Sequence, residues 1–156
     1  YGLPLVMSPA MAAVHLGMAH AMLDDIRRLG RKLIPGSKTD TIWSDPNFQS
    51  QLALAEGELR GARTLLFSTA ASLVSVAERD GVPEAQLQAR LIPAQVTAMV
   101  KRSANILWEL GGSVVLSKAG STERAYRDLL TGTQHRGIRA NQFAKVGRQD
   151  YEHSAR

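Results

Sequence analysis

The sequence predicts an all-α fold, namely an up-and-down four-helix bundle with a short extra helix at its C-terminal end. Three observations indicate this class. Long segments repeat apolar residues every three or four positions, as one face of a helix does. No segment alternates convincingly in the manner of a strand. The breaks between segments are short, which favours antiparallel neighbours. With 156 residues, 44% of them hydrophobic, the chain can form one domain with its own core.

The first predicted helix runs from Ser8-Pro9 to Leu33. Serine can cap a first turn, and proline fits the first helical position because no N–H donor is needed there. Pro35-Gly36 then stops the pattern. The apolar stripe of this helix consists of Ala12, Leu16, Ala19, Leu23, Ile26 and Leu33.

The second predicted helix starts at Asp45-Pro46 and ends near Asp80, before Gly81. Gly57 and Gly61 lie inside it, and each costs about 1 kcal/mol relative to alanine. We therefore expect a neighbouring helix to approach closely at these glycines. The apolar stripe consists of Phe48, Leu52, Ala55, Leu59, Ala62, Leu66, Thr69, Leu73 and Val76.

The third predicted helix opens at Pro83-Glu84 and ends at Gly111-Gly112. Pro93 is expected to kink or restart it, because proline removes one helical hydrogen bond. The apolar stripe consists of Leu87, Leu91, Ala94, Ala98, Met99, Ser103, Ile106 and Leu110.

Two shorter helices complete the prediction. A fourth helix starts near Ser121, and a fifth covers Gly137 to Val146. The polar tail from Gly147 is expected to fray, as chain ends without apolar anchors do.

Composition narrows the classes of function. Cysteine is absent, which excludes disulfides and thiolate metal sites. The apolar runs are too short for a membrane span, and the N-terminal residues lack a secretory pattern, so we expect a cytoplasmic location. Neither a Walker loop nor a Gly-x-Ser-x-Gly elbow occurs. Because the chain begins with Tyr1, we expect residues 1–156 to be one domain of a longer protein.

The net charge of +5 permits an anionic partner, such as nucleic acid, a phosphate-bearing cofactor or an acidic surface. A helix-turn-helix pattern is missing, so we predict no nucleic-acid partner. Seven basic and two acidic residues lie between Lys118 and Arg148. A solvated basic face and a phosphate site explain this distribution equally well.

Histidine and aspartate on the first helix raise the question of a metal. His20 and Asp24 are four residues apart, and His15 precedes them. A pair without a third ligand is more typical of a hydrogen bond along a helix than of a metal site. The two Glu-x-x-His motifs of a di-iron bundle are missing. We therefore predict no bound metal.

The strongest candidates for a functional site lie between residues 111 and 135. Gly111-Gly112-Ser113 would let a ligand approach the backbone closely, although a simple helix cap looks the same. Thr133 and His135 stand in a polar run, Thr131 to His135, that no apolar repeat explains. A histidine in such a run can donate a hydrogen bond to negative charge near neutral pH; a surface histidine is the alternative.

Three groups of residues carry a family resemblance, and they follow in the family's order: Leu16-Gly17-Met18-Ala19 with Leu23-Asp24; Pro46-Asn47-Phe48-Gln49 with Leu52-Ala53; and the closing set Gly111-Gly112, Arg127-Asp128 and Gly132-Thr133. Through these groups, which are spread from Leu16 to Thr133, nearly the whole chain resembles the C-terminal helical domain of the acyl-CoA dehydrogenase superfamily.

The resemblance implies a flavin cofactor, FAD or FMN, held between this bundle and a β-domain, and a homotetramer built by the bundles. It implies flavin contacts for Gly111, Gly112 and Ser113 across a subunit boundary, and for Thr133. Many acyl-CoA dehydrogenases have a catalytic glutamate just before the Gly-Thr pair, where this chain has Thr131.

The Gln134-His135 ending instead resembles the flavin-dependent monooxygenase branch, in which the matching histidine lies near the flavin ring and stabilises flavin-bound oxygen. The resemblance thus implies that His135 is catalytic, in an enzyme with a small-molecule substrate and a flavin reductase partner. Alternatives are a dehydrogenase whose base lies outside this segment, and a non-catalytic ligand-binding or scaffold domain. We expect the last third of the chain to form one wall against the flavin ring, and this segment alone to be inactive.

Overall fold

A computed structural model describes residues 3–79, 81–116 and 120–154 of the chain. Within them, the backbone forms five α-helices and no strand; one isolated bridge joins Leu33 to Thr41. Two short 3-10 helices, Ile42–Ser44 and Gly112–Leu116, lie in the connections. The α-helices are α1 (Leu3–Gly30), α2 (Pro46–Arg79), α3 (Val82–Gly111), α4 (Ser121–Gly132) and α5 (Asn141–Ser154).

The first four helices run up, down, up and down, which confirms the predicted fold class. The Ser103 hydroxyl on α3 donates to the Ala55 carbonyl on α2 at 3.2 Å, and the guanidinium of Arg102 pairs with Glu58 at 3.1 Å, so these two helices are antiparallel. α1 and α3 run parallel and pack on each other. α2 and α4 each pack on that central pair.

Asp25 of α1 fixes the start of α4. Its carboxylate accepts hydrogen bonds from the hydroxyls of Ser121 and, at 2.7 Å, of Thr122 in the first turn. Arg28 pairs with the same carboxylate. A negative charge there also interacts favourably with the N-terminal end of the helix dipole. α4 is therefore tied to α1 at its beginning, and its far end reaches a second contact with α1 at His15.

The stripes predicted for α1 and α2 are the buried faces of these helices. Every member predicted for α1 is buried except Leu33, which is 53% exposed, because α1 ends at Gly30. A Cβ added at Gly30 would lie 2.8 Å from the rings of Trp43 and Phe48. Glycine therefore allows these two rings to pack against the end of α1. On α2, Thr69 and Leu73 are half-buried and the other seven are buried.

The stripe predicted for α3 was only partly right: Ala94 and Ser103 are buried, and its other six members are partly buried. The buried residues that the stripe missed include Ala85, Ala89, Val96, Val100 and Leu107, whereas Leu87 and Leu91 are half-exposed. α3 packs against both α1 and α2, so small side chains that let helices approach closely occupy its centre. A search for the largest apolar residues follows the edges of that contact instead.

Helix boundaries differ from the prediction at three places. Ser8-Pro9 lies inside α1 and does not start it. Pro93 does not restart the helix but lies within the continuous helix α3, and the predicted kink stays a prediction. α5 begins at Asn141, four residues after the predicted Gly137, and continues to Ser154 through the tail that was expected to fray. The predicted end of the second helix, Asp80, lies outside the described residues.

One of the two glycines predicted to mark close helix packing on α2 does so. A Cβ added at Gly61 would lie 3.2 Å from the Met99 methyl group of α3. At Gly57, nothing lies within 4 Å, so the prediction was wrong there.

Candidate functional site

The polar run singled out in the sequence forms a compact turn between α4 and α5, residues 133–140, called the α4–α5 turn below. The Thr133 N–H donates to the Leu129 carbonyl and its hydroxyl to the Leu130 carbonyl, at 2.9 and 2.7 Å. Ile138, which is 1% exposed, anchors the turn in the interior. Successive turn hydrogen bonds and this apolar anchor hold the backbone in a fixed shape.

His135 lies on the outside of this turn. Its side chain is exposed, and its ring Nδ1 accepts a hydrogen bond from the Gly137 N–H at 3.3 Å. A ring nitrogen that accepts a hydrogen bond carries no proton, so this bond favours the neutral tautomer with the proton on Nε2. The imidazole therefore presents an N–H donor at Nε2.

A second histidine lies directly beneath the turn. His15 of α1 is 1% exposed, and a Cβ added at Gly132 would lie 2.0 Å from its Nε2. No described residue provides a hydrogen-bond partner for its Nδ1. Burial, and secondarily the nearby His135, lowers the pKa of His15 below its ordinary 6.5, so the ring is neutral at pH 7.

No sequence pattern connects His15 with the polar run, since 117 positions separate His15 from Gly132. Two sequence features were available to find this contact. One is a histidine next to the apolar stripe of α1, and the other is a glycine as the last residue of α4. Each has many ordinary explanations. Only the packing of α4 on α1 joins them.

Two clefts open on either side of the α4–α5 turn. The first, here called the Thr133 cleft, is about 370 Å³ and lies against α3. Thr97 on its wall is 4% exposed, and its hydroxyl has no partner among the described residues; the same is true of the Asn141 amide oxygen. Such buried polar atoms without a partner are rare in folded proteins. The residues that face this cleft include Thr97, Lys101, Thr133, Gln134, Arg139 and Asn141.

The second cleft, here called the His135 cleft, is about 380 Å³ and lies where α1, α3, the turn and α5 meet. Arg90, Arg136 and Lys145 bring three positive charges to it, beside His135. Its remaining lining residues are Met7, Ser8, Gly137 and Gln142.

Gly111, Gly112 and Ser113 lie at the opposite end of the bundle. Gly111 is buried at the end of α3, and Gly112 turns the chain with φ +51°. Arg90 of the His135 cleft lies on the same helix as Gly111, 21 positions earlier, a separation of about 30 Å at 1.5 Å per residue. The expectation that the last third of one chain forms a single wall was therefore wrong. The glycine pair and His135 do not share one site within this chain.

The remaining candidates from the sequence have local roles. His20 bonds the Leu16 carbonyl through Nδ1 at 2.9 Å. Arg127 pairs with Glu123 and with its neighbour Asp128 along α4, at 3.5 and 3.8 Å, so this pair does not join two helices. Among the described residues, no three histidine or acidic side chains come together as a metal site would require. No helix in that part of the chain is long and apolar enough to cross a bilayer.

The structure thus shows an all-α domain with two clefts beside the α4–α5 turn. A family model described as the C-terminal domain of acyl-CoA dehydrogenases matches residues 10–140. The chain belongs to this family. No curated protein sequence matches it.

Three solved structures have the same fold as this chain. XiaF from Streptomyces sp., in complex with FADH2 and glycerol, is 19% identical over 96% of this chain, with a TM-score of 0.82. The 3-HSA hydroxylase from Rhodococcus sp. RHA1 and the HsaA monooxygenase from M. tuberculosis are each 18% identical over 97%, with TM-scores of 0.81. The chain spans about two fifths of these proteins, 39–40% of their length.

Proposed function

We propose that the chain is the C-terminal domain of a flavin-dependent monooxygenase, in which it forms one side of the flavin site and part of the contact between subunits. The family match and the similarity to a hydroxylase, a monooxygenase and a protein bound to FADH2 support this class. The observation that carries the proposal is the place of His135, which is exposed on the α4–α5 turn and accepts a hydrogen bond from the Gly137 N–H at Nδ1, so that Nε2 is available to donate.

Reduced flavin, when bound, would supply the electrons and react with oxygen, and one oxygen atom would pass to the substrate. The part of His135 is to donate a hydrogen bond from Nε2 to the negative charge that develops beside it. The fixed turn holds the donor in place before the charge appears, which lowers the cost of reorganisation.

The residues around the turn fit a polar heteroaromatic ligand. In the Thr133 cleft, the buried side-chain oxygens of Thr97 and Asn141 have no described hydrogen-bond partner. A ligand with hydrogen-bond donors on its edge would bond to these oxygens. Thr133 faces the same cleft, but its hydroxyl already donates to Leu130. We therefore propose that Thr133 shapes the turn and contacts flavin through its backbone or methyl group.

For the glycine pair we propose a role in a second subunit. Gly111, Gly112 and Ser113 lie about 30 Å along α3 from the His135 cleft, so they would contact a flavin held by another copy of the chain. Val114 and Leu116, next to them, are 57% and 61% exposed. Exposed apolar residues beside a sharp turn are typical of a surface that another chain covers. A homotetramer, a flavin reductase partner and a cytoplasmic location remain predictions.

The test uses the longer protein in which residues 1–156 are preceded by the flavin-binding domains. We expect His135→Ala to lower the amount of product formed per flavin oxidised by about tenfold or more, as the loss of a hydrogen bond to a charged group does. His135→Gln, which keeps an N–H donor, should recover part of the yield. The control is His20→Ala, since His20 bonds Leu16 away from the turn. Unchanged yield in His135→Ala would refute the role.

A dehydrogenase with its base in another domain is the second candidate, and the family match favours it. Thr131 occupies the position of the family's base, but its hydroxyl donates to the Arg127 carbonyl at 2.9 Å, and a hydroxyl is far too weak a base. An anaerobic assay with acyl-CoA and an artificial electron acceptor separates the two: turnover without oxygen supports the dehydrogenase.

A further inference from the structure

The three basic residues of the His135 cleft have no acidic partner among the described residues, unlike several arginines elsewhere in the bundle. Elsewhere, arginines pair with carboxylates: Arg27 and Arg60 bond Glu56, at 2.7 and 2.6 Å, and Arg102 bonds Glu58. Among the described residues, no ion pair involves Arg90, Arg136 or Lys145. No described carboxylate faces the cleft either.

Four separate segments of the chain build this cleft. α1 contributes Ser8, α3 contributes Arg90, the turn contributes Arg136 and α5 contributes Lys145. The like charges gathered from three of these segments, α3, the turn and α5, repel each other. A concave site lined by one sign of charge concentrates the field and attracts ions of the opposite sign.

The floor of the cleft is well ordered by packing. Ser8 and Gln142 are each 4% exposed, and the Gln142 side-chain amide donates to the Arg136 carbonyl. A Cβ added at Gly137 would lie 3.0 Å from the Ser8 hydroxyl, so glycine allows the turn to rest on α1. The backbone at Arg136 is thus held by the hydrogen bond from Gln142 and by the contact of the next residue, Gly137, with Ser8.

We infer that the His135 cleft binds the oxyanion group, carboxylate or phosphate, of a small-molecule ligand and places that ligand beside His135. Guanidinium groups suit both anions because their N–H donors match two oxygens at once. The inference rests on the proposed function in one respect: it identifies the ligand as an acidic substrate or as the phosphate end of the cofactor. The anion site itself does not depend on flavin chemistry.

The site is tested by NMR titration of the 156-residue chain, after its helical fold is verified by circular dichroism. The probes are benzoate, phenyl phosphate and inorganic phosphate at constant ionic strength, and the signals are the Gly137 amide and the His135 ring. We expect saturable shifts at both. Tighter binding of benzoate identifies a carboxylate substrate, and tighter binding of phenyl phosphate identifies a phosphate ester; either result supports the site.

Substitutions locate the binding. Arg136→Gln or Arg90→Gln should weaken the preferred probe by about tenfold, as expected for losing a charge-assisted hydrogen bond. Arg148→Gln is the matched control, since it removes the same charge from α5 outside the cleft and should change Kd less than about twofold. If Arg90→Gln unfolds the chain, Lys145→Gln, at an exposed position, replaces it.

Two outcomes overturn the inference: shifts that rise linearly with every probe, or an equal loss of affinity in Arg148→Gln. Neither outcome bears on the yield of product in His135→Ala. A failed monooxygenase assay would likewise leave the titration unchanged, so failure of the anion site and failure of the proposed function are distinguishable.

Discussion

The contact between His15 and Gly132 gives the sharpest prediction, because it can be tested by adding a single methyl group. A Cβ at Gly132 would lie 2.0 Å from Nε2 of His15, and 3.0 Å from two ring carbons. No Cβ tolerates such distances, so the ring has to move. It is 1% exposed and lies within a packed interior, where moving a ring disturbs its neighbours.

The magnitude of Gly132→Ala follows from two opposing effects. Forcing extra atoms into a packed core costs typically about 1–3 kcal/mol. Alanine gains up to about 1 kcal/mol over glycine within a helix, and less at the last residue of α4. We expect a net loss of about 1–2 kcal/mol, which for a chain of this size lowers Tm by about 2–8 °C.

The cause is isolated by a double-mutant cycle measured by urea and thermal unfolding. His15→Ala removes the ring, so adding Gly132→Ala in that background should be neutral or stabilising. The coupling between the two substitutions should therefore reach about 1 kcal/mol or more, within the range for residues in contact. Gly57→Ala is the control, since nothing lies within 4 Å of its Cβ position and alanine should stabilise α2. If Gly132→Ala stabilised the chain as Gly57→Ala does, the contact with His15 would be refuted.

Three further predictions follow from single contacts. Asp25→Asn should cost about 1–2 kcal/mol in urea unfolding, because the first turn of α4 loses a charged acceptor; a loss below about 0.5 kcal/mol, typical of neutral surface changes, would contradict this. Because the pKa of His15 is lowered by burial and by His135, the unfolded chain binds its proton more readily. The contribution of His15 to the free energy of unfolding is therefore fully present above about pH 6.5 and is lost as the pH falls below it. Measured at pH 7.5, 6 and 5, the free energy of unfolding of His15→Gln should depend less on pH than that of the unchanged chain. An identical pH dependence would argue against the lowered pKa of His15. Ser103→Ala should cost about 1 kcal/mol, since the buried hydroxyl bonds the Ala55 carbonyl, and Ser72→Ala, whose hydroxyl bonds only its own helix, should cost less.

Sequence patterns located the four helices of the bundle, and the predicted start of α3 lies one residue from the observed Val82. The buried face was predicted well for α1 and α2, because each presents one apolar stripe. The stripe from Ala12 to Ile26 and the stripe from Phe48 to Val76 follow the helical period, and the structure buries their members or partly buries them. α3 failed the same test, because a helix packed on two sides has no single face. Its small buried residues, such as Ala85 and Ala89, carry no size signal.

The candidate site was predicted only in part. The sequence indicated that His135 stands in a polar run, and the structure finds it exposed on a turn with a hydrogen bond at Nδ1. It did not indicate the two clefts, since their walls come from α1, α3 and α5 as well as the turn. The family resemblance placed the glycine pair and its flavin on two sides of a subunit boundary, and that role stays a prediction. The sequence did not indicate how far α3 separates the pair from the His135 cleft within one chain.

The sequence by itself determined the helical class, the order of the helices and the family, because apolar period, breaks and short motifs are local properties of a chain. Only the tertiary structure decided that His15 lies under Gly132, that three unpaired cations surround one cleft, and that the glycine pair and His135 occupy opposite ends. Such relations depend on which helix faces pack together. They follow from contacts between residues far apart in sequence, and no local pattern records them.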